Sequence, residues 1–316
     1  MTQQWRCFLV SIGLALAWHL AVASGPARAQ TAGAATPSAS PMLLVPPMFG
    51  DWIDPATDPI VTGAGPGNHR LQPIATTYSS FKVAENESPL PMDRLFVTYN
   101  FYRRVLGTQD VHRESLGVEK TILQGTASLG LRLPFYQIRS DFGSDSARVD
   151  DLSLIFKYAL LRTDDGALST GLLVTLPTGP SYQPAAAHDR TVAQLQPFVG
   201  YLWRRGNFYL HGFLSVDVPT DAVAPTVLFN DIGVGYRLPV GGTLRAVIPT
   251  FEVHVNTPLT HRSAVDPERR RDSVNLTLGA HLELGERTWL SLAAAAPVTS
   301  PRLFDAEALA RLNWGF

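Results

Sequence analysis

The chain has 316 residues, of which 45% are hydrophobic and 17% are charged, and its formal net charge is −1 at pH 7. This balance excludes the dense basic surface that nucleic-acid binding requires, so we expect no nucleic-acid partner. The single cysteine, Cys7, excludes a disulfide within the chain. No spacing of His, Cys, Asp or Glu is typical of a metal site, and we predict no metal and no cofactor.

The first 29 residues have the three parts of a secretory signal peptide. Arg6 stands before an apolar run over residues 8–23, which is followed by Ala27-Arg28-Ala29. A positive head, an apolar middle and an A-x-A end predict export and cleavage before Gln30. Cleavage would remove Cys7 and two of the 26 basic residues, so that 24 remain against 27 acidic ones and the net charge becomes −3.

Residues 30–91 are predicted to lack regular structure. Residues 31–41 are rich in alanine, serine and proline and contain too few large apolar side chains to build a core. Residues 42–91 contain scattered prolines and glycines and no sustained periodicity. We interpret the stretch as a linker and an irregular segment, which is a periplasmic tail, a plug inside the domain that follows, or an extra strand.

From residue 92 to the C-terminus, apolar and polar residues alternate in about twelve segments. In the clearest segment every second residue from Val274 to Leu284 is apolar, and the residues between them are polar or glycine. Such alternation predicts a β-strand with one apolar face. It fails near Pro249, which predicts a bulge there. The predicted strands are residues 93–105, 112–122, 126–137, 147–161, 166–176, 191–203, 207–218, 226–238, 244–256, 272–284, 288–296 and 305–316.

The connections between these strands are alternately short and long, as in outer-membrane barrels with short periplasmic turns and long outer loops. Each predicted strand has about ten or more residues, enough to cross a bilayer at a tilt. The sequence therefore predicts an all-β fold, an up-and-down antiparallel transmembrane β-barrel of about 12 strands (12–14) over residues 92–316. A soluble β-sandwich is the alternative, but it seldom keeps alternating connection lengths through so many strands.

Aromatic residues near the short-turn ends of the strands predict an interfacial girdle around the barrel. They are Tyr158, Tyr201, Trp203, Phe208, Tyr236, Trp289, Trp314 and Phe316. The end of the chain, with Trp314 and Phe316, also resembles the C-terminal assembly signal of bacterial outer-membrane barrels. We therefore predict the barrel assembly machinery and outer-membrane lipid as partners, and the outer membrane of a Gram-negative-type bacterium as the location.

If the apolar faces contact lipid, the opposite faces line the lumen. The predicted lumen residues are Arg94, Asn100, Arg132, Asp151, Lys157, Gln196, Phe198, His211, Phe213, Asp231, Arg237, Glu252, His254, His281, Glu283 and Arg311. Mixed charges with aromatic rings favour an amphipathic or apolar solute over bulk ions. A salt-bridged lumen that simply fills the barrel is the alternative.

Turn positions predict the strand registers in two hairpins. A two-residue turn at Arg205-Gly206 would place Phe198 opposite Phe213. A turn at residues 240–242 would place Asp231 opposite Glu252, where two carboxylates could share a proton or bind a cation.

Residues 152–160 (LSLIFKYAL) and 168–179 (LSTGLLVTLPTG) form a strand with the letters KYAL, a turn, and a strand that ends in LPTG. This arrangement, over residues 147–179, resembles the outer-membrane family named for the MetA pathway of phenol degradation. Residues 84–101 also resemble the opening of such barrels. The resemblance implies an outer-membrane barrel that passes small, often aromatic or hydrophobic, solutes, and it supplies no catalytic residues.

The sequence thus predicts passive passage of a small, aromatic or hydrophobic solute, and no enzyme. Two alternatives stay open. A non-conducting structural or adhesive barrel would use the long loops at residues 179–190 and 257–271. A hydrolase in the lumen or at the rim would need a Ser/His pair with an amide or acid, for which the candidates are His254, Asn256, Ser291 and His281.

Overall fold

The structure, a computed structural model, describes residues 45–51, 60–63, 69–72, 81–105, 107–141, 145–179, 192–220, 226–260, 272–300 and 302–316. The predicted signal peptide, the linker and most of the loops at 179–190 and 257–271 lie outside these residues. Among the described residues, no helix is long and apolar enough to cross a membrane.

The described chain is built from β-strands. Two short strands, β1 (Ile60–Gly63) and β2 (His69–Gln72), pair with each other in a small separate sheet. The remaining strands are β3 (Arg94–Val105), β4 (Gln109–Ile122), β5 (Ala127–Ser140), β6 (Ser146–Val149), β7 (Leu152–Arg162), β8 (Gly166–Leu176), β9 (Gln194–Arg205), β10 (Phe208–Pro219), β11 (Val227–Tyr236), β12 (Leu238–Gly241), β13 (Leu244–Pro258), β14 (Ser273–Leu284), β15 (Thr288–Pro297) and β16 (Ala306–Gly315).

Twelve long strands form a closed antiparallel ring. Successive long strands pair along the chain, and β16 closes the ring by pairing with β3, where Leu312 lies opposite Val97. β11 pairs with β13, while the short β6 and β12 extend the pairing of β5 and β13. The predicted all-β antiparallel barrel of twelve strands is confirmed.

The two faces of the strands are reversed relative to a soluble protein. On β9, Leu195 and Val199 are exposed on the outside, whereas Gln196 is fully buried inside. On β14, Leu278 is 66% exposed while the adjacent Thr277 is buried. Water disfavours an apolar belt of this extent, whereas lipid favours it. The outer face is therefore the lipid-facing surface of a transmembrane barrel.

Trp289 departs from the predicted aromatic girdle. The other seven aromatic residues are at least partly exposed, but Trp289 is only 1% exposed. Its register partners, Glu283 on β14 and Asn313 on β16, are both buried on the inner side. Because directly paired residues point to the same face of a sheet, Trp289 faces the interior and its assignment to the girdle is wrong.

The register between β9 and β10 differs from the prediction by two residues. Arg205 lies opposite Phe208, so the turn consists of Gly206 and Asn207. Gly206 has a positive φ of 59°, and a glycine with positive φ in the first central position is one of the favoured hairpin geometries. Phe213 is therefore not opposite Phe198, although the two rings still meet edge to face at a centroid distance of 5.8 Å.

The register between β11 and β13 is also shifted. Gly241 pairs with Leu244, so the turn is formed by the two residues between them rather than by residues 240–242. Asp231 consequently lies opposite His254, and Glu252 lies opposite a glycine. The predicted cross-strand pair of Asp231 and Glu252 is wrong.

The bulge expected near Pro249 is absent from the described β13–β14 ladder. Pro249 pairs with Ala280 in unbroken register, and the irregularity lies between Leu244 and Ala246. The alternation of apolar and polar residues fails in the sequence because the apolar Ile248 points inward, where it packs in a buried apolar cluster. The pairing of the backbone continues through this point without a bulge.

Two stretches before β3, residues 45–51 and 81–91, lie inside the barrel, and we call them the inner segments. Their residues are buried. Met48, Phe81, Val83 and Ala84 pack against an apolar strip of the wall. That strip consists of Ile155 on β7, Leu173 on β8, Phe198 on β9 and Phe213 on β10.

Candidate functional site

Most of the predicted lumen residues are on the inner side of the barrel. Those that are 3% or less exposed are Arg94, Asn100, Arg132, Lys157, Gln196, Phe198, His211, Phe213, Asp231, Glu252, His254, His281 and Arg311. Glu283 is also buried, and its Oε2 accepts a hydrogen bond of 2.9 Å from Nε of the partly exposed Arg237. Asp151 is not deep in the lumen, because it lies in the β6–β7 connection and accepts the Gly179 N–H at 2.8 Å.

Glu87 of the inner segments is surrounded by three cations of the wall. Its carboxylate contacts Arg94 at 2.9 Å, Lys157 at 2.6 Å and also Arg132. Burial alone would raise the pKa of Glu87, but these positive charges outweigh burial and hold its pKa well below the usual range. The glutamate is therefore a fixed negative charge that links the inner segments to the wall.

Glu119 on β4 is the wall's own acid in this region. It contacts Arg94 and Lys157, each at 2.9 Å, and it accepts the Met92 N–H at 3.1 Å. Further along the inner segments, Glu85 forms an ion pair with Arg113 of β4. The inner segments therefore supply two carboxylates to an excess of wall cations.

Lys82 of the inner segments is positively charged and contacts two acids, one of which lies on another part of the wall. Its Nζ lies 2.6 Å from Oδ1 of Asp231 and pairs with Asp51, which also belongs to the inner segments. Burial alone would lower the pKa of Lys82, but the charges of Asp231 and Asp51 raise its pKa above the usual value. His254 Nδ1 lies 2.8 Å from Asp231 Oδ1, so the histidine also binds to this group.

Glu252 on β13 binds the backbone of the inner segments. Its two oxygens accept the N–H groups of Phe49 and Gly50, each at 2.8 Å. Gly50 has a φ of 68°, and a side chain there would meet the Glu85 backbone, with a Cβ 2.6 Å from its Cα. Glycine is thus required for two successive N–H groups to point at one carboxylate. The ring of Phe49 stacks on His281 at 4.2 Å.

Among the described residues, Asp51, Asp231 and His254 form a buried group that could hold a metal ion. Their ligand atoms lie within 4.8 Å of one another. The ammonium of Lys82 already binds both carboxylates, so a metal ion would have to displace it.

The four hydrolase candidates do not converge among the described residues. His281 Nδ1 is 2.7 Å from Ser291 Oγ, but no hydrogen-bond partner is described for His281 Nε2. His254 is bound to Asp231 and to Thr277 instead. A nucleophile, a base and a group that orients the base are needed together, and at His281 only the first two meet.

A plug was one interpretation of residues 42–91 from the sequence, but sequence reasoning identified none of the residues by which that stretch binds the wall, and it missed Arg113 and Glu119 on the wall itself. Asp51, Lys82, Glu85 and Glu87 lie outside any periodic strand, so no alternation assigns them to a face. The signal that could have found them is electrostatic. The inward parity of Arg94, Arg132 and Lys157 leaves buried cations that require acidic partners.

No protein-family model and no curated protein matches the sequence. Among solved structures, the COG4313 outer membrane channel from Pseudomonas putida F1 is similar with a TM-score of 0.54 and 13% identity, over 73% of this chain and 97% of that one. The KdgM porin in complex with disordered oligogalacturonate gives a TM-score of 0.46 at 8% identity, over 71% and 99% of the two chains. NanC porin gives 0.47 at 11% identity, over 70% and 98%. The first similarity shows a shared fold, that of an outer-membrane β-barrel.

Proposed function

We propose that the protein is an outer-membrane channel for the passive passage of a small, aromatic or hydrophobic solute. The observation that supports this solute class is the apolar strip of Ile155, Leu173, Phe198 and Phe213 on the inner side of β7–β10. The strip packs against the inner segments, and when they detach it can contact an apolar solute in the lumen. The sequence resemblance to the family of the MetA phenol pathway favours the same class.

Passage requires the inner segments to move. They cover the apolar strip, and the central lumen residues are buried beneath them. We infer that the inner segments are the barrier, and that a solute passes when they detach from the wall. Export by residues 1–29 and assembly through Trp314 and Phe316 belong to the same proposal.

A reversible cross-link tests the barrier directly. Val83 N–H donates to Gln196 Oε1 at 2.7 Å, which places an inner segment against β9. In a Cys7→Ser background, Val83→Cys and Gln196→Cys are joined by a short bifunctional thiol reagent that a reductant cleaves. We expect the cross-linked barrel in liposomes to pass no benzenesulfonate, an aromatic anion that does not cross lipid unaided, and the reduced barrel to pass it.

The single-cysteine variants, treated with the same reagent, are the matched controls. Equal passage with and without the cross-link would show that the inner segments are not the barrier. Absence of passage in every form, including the unmodified chain, would contradict the channel itself.

A further inference from the structure

Most of the buried lysine and arginine side chains of the barrel wall lie on one side, and two buried acids lie on the other. Four cations lie on the adjacent strands β3, β4, β5 and β7: Arg94, Arg113, Arg132 and Lys157. Glu119 neutralises one of them. The acids Asp231 and Glu252 lie on β11 and β13, and in the ring of twelve β11 is six strands away from β4 and β13 is six strands away from β5. Glu307 and Arg311, of opposite charge, both lie on β16 between the two sides.

The inner segment 81–91 has the complementary order of charges. Lys82 binds Asp231 on the acidic side at 2.6 Å. Three and five residues later, Glu85 and Glu87 bind the cationic side. All three side chains are 3% or less exposed. The segment therefore spans the barrel as a dipolar ion, with its ammonium and its carboxylates each on the wall of opposite charge.

The acidic side has the features of an ammonium site. The carboxylate of Asp231 contacts Nζ of Lys82, and the centre of the Phe229 ring lies 5.0 Å from that Nζ. A carboxylate beside an aromatic face is the usual recognition pattern for a desolvated ammonium group. Asp231 Oδ2 has no described hydrogen-bond partner, although it is buried. The site thus retains capacity for a further donor.

We propose that the lumen binds zwitterionic amphipathic solutes, and that the inner segment 81–91 occupies their binding site. The inference rests on the proposed function and specifies its solute. When the segment leaves, both sides of the wall lose partners at once, and the charged groups of both sides are left without a bound counter-charge. A solute with an ammonium, a carboxylate and an apolar body restores both sides and covers the apolar strip. A singly charged solute restores one side and leaves the other unpaired.

Amine rescue of a Lys82→Ala variant tests the ammonium site without any transport. We expect the variant to unfold at a lower temperature, and saturating 2-phenylethylamine to raise that temperature by about 4 °C. The acid 3-phenylpropionate is expected to have no such effect. Lys82→Ala combined with Asp231→Asn should not respond to the amine. Lys120→Ala, which removes an exposed lysine, is the matched control, and an equal response in it would overturn the site.

Uptake by the unmodified chain tests the whole inference even if the Lys82 variant fails to fold. Phenylalanine, 2-phenylethylamine and 3-phenylpropionate share the phenyl ring and differ in charge. We expect phenylalanine to enter barrel-containing liposomes several-fold faster than either singly charged compound. Equal rates for the three compounds would overturn the zwitterion preference but would not contradict the proposed channel function. Absence of flux for all three would contradict the proposed function, whereas the amine rescue would still decide the site.

Discussion

Almost every charged side chain in this lumen is removed from water. Each of them therefore needs a partner of opposite charge to be stable in the folded barrel. Strand parity placed Arg94, Arg132 and Lys157 on the inner face, and the structure buries them there. Parity could not identify their shared partner Glu87, because Glu87 lies in aperiodic chain. At this scale a sequence reveals which charges need a partner, but long-range contacts decide which residue provides it.

The ion pair of Asp51 predicts a definite dependence of stability on pH. Burial raises the pKa of Asp51, but Lys82 and His254 outweigh burial and lower it from 3.8 to about 2. A depressed pKa means that the ionised form stabilises the folded state above pH 3.8 and that this contribution is lost as the pH falls to about 2. The shift corresponds to about 2 kcal/mol.

We therefore expect the difference in unfolding free energy between the unmodified chain and Asp51→Asn to be about 2 kcal/mol larger at pH 5 than at pH 2. Chemical unfolding in detergent micelles at a series of pH values measures it. Asp164→Asn, in the exposed turn between β7 and β8, is the control and should show no such difference. A constant difference across the pH range would contradict the ion pair.

At the scale of the element, alternation predicted the strands well and the turns poorly. β8 was predicted with its observed ends, residues 166–176, because its two faces contrast strongly. The hairpins at Gly206 and Gly242 were shifted by two residues, because the backbone conformation of glycine decides which residues form a turn. A shift by two keeps each residue on its face, so the lumen assignments survived although the cross-strand partners changed.

The terminal strand β16 closes the ring, and the residue that follows it, Phe316, lies on the outer surface. Phe316 is exposed and its ring lies 6.0 Å from that of Trp314. Deletion of Phe316 is therefore expected to lower the amount of folded barrel in the outer membrane severalfold and to leave solute preference unchanged. Heat-modifiable mobility of membrane fractions measures assembly, and liposome uptake measures preference. Phe208→Ala removes an exposed aromatic at the same rim and should assemble normally; an equal defect in it would contradict a special role for the terminus.

For the whole molecule, the barrel was predictable because one repeated pattern specifies it twelve times. A plug and a filled lumen were predictable only as alternatives, since the inner segments have no repeat and only their contacts with the wall show where they lie. The buried inner segments make both polar and apolar contacts with the wall. They neutralise Arg113, Arg132 and Asp231, and they cover the apolar strip.

Removal of residues 42–91 separates the barrel from its inner segments. We expect the shortened barrel to insert, because the strand pairs from β3 to β16 do not involve these residues. It should conduct ions more freely and unfold at a lower temperature, since the wall charges lose their partners. Added salt should raise that temperature more in the shortened barrel than in the full chain, because mobile ions can enter and screen the exposed charges. Planar-bilayer conductance and thermal unfolding at two salt concentrations measure both effects, and equal conductance of the two forms would show that the inner segments do not close the lumen.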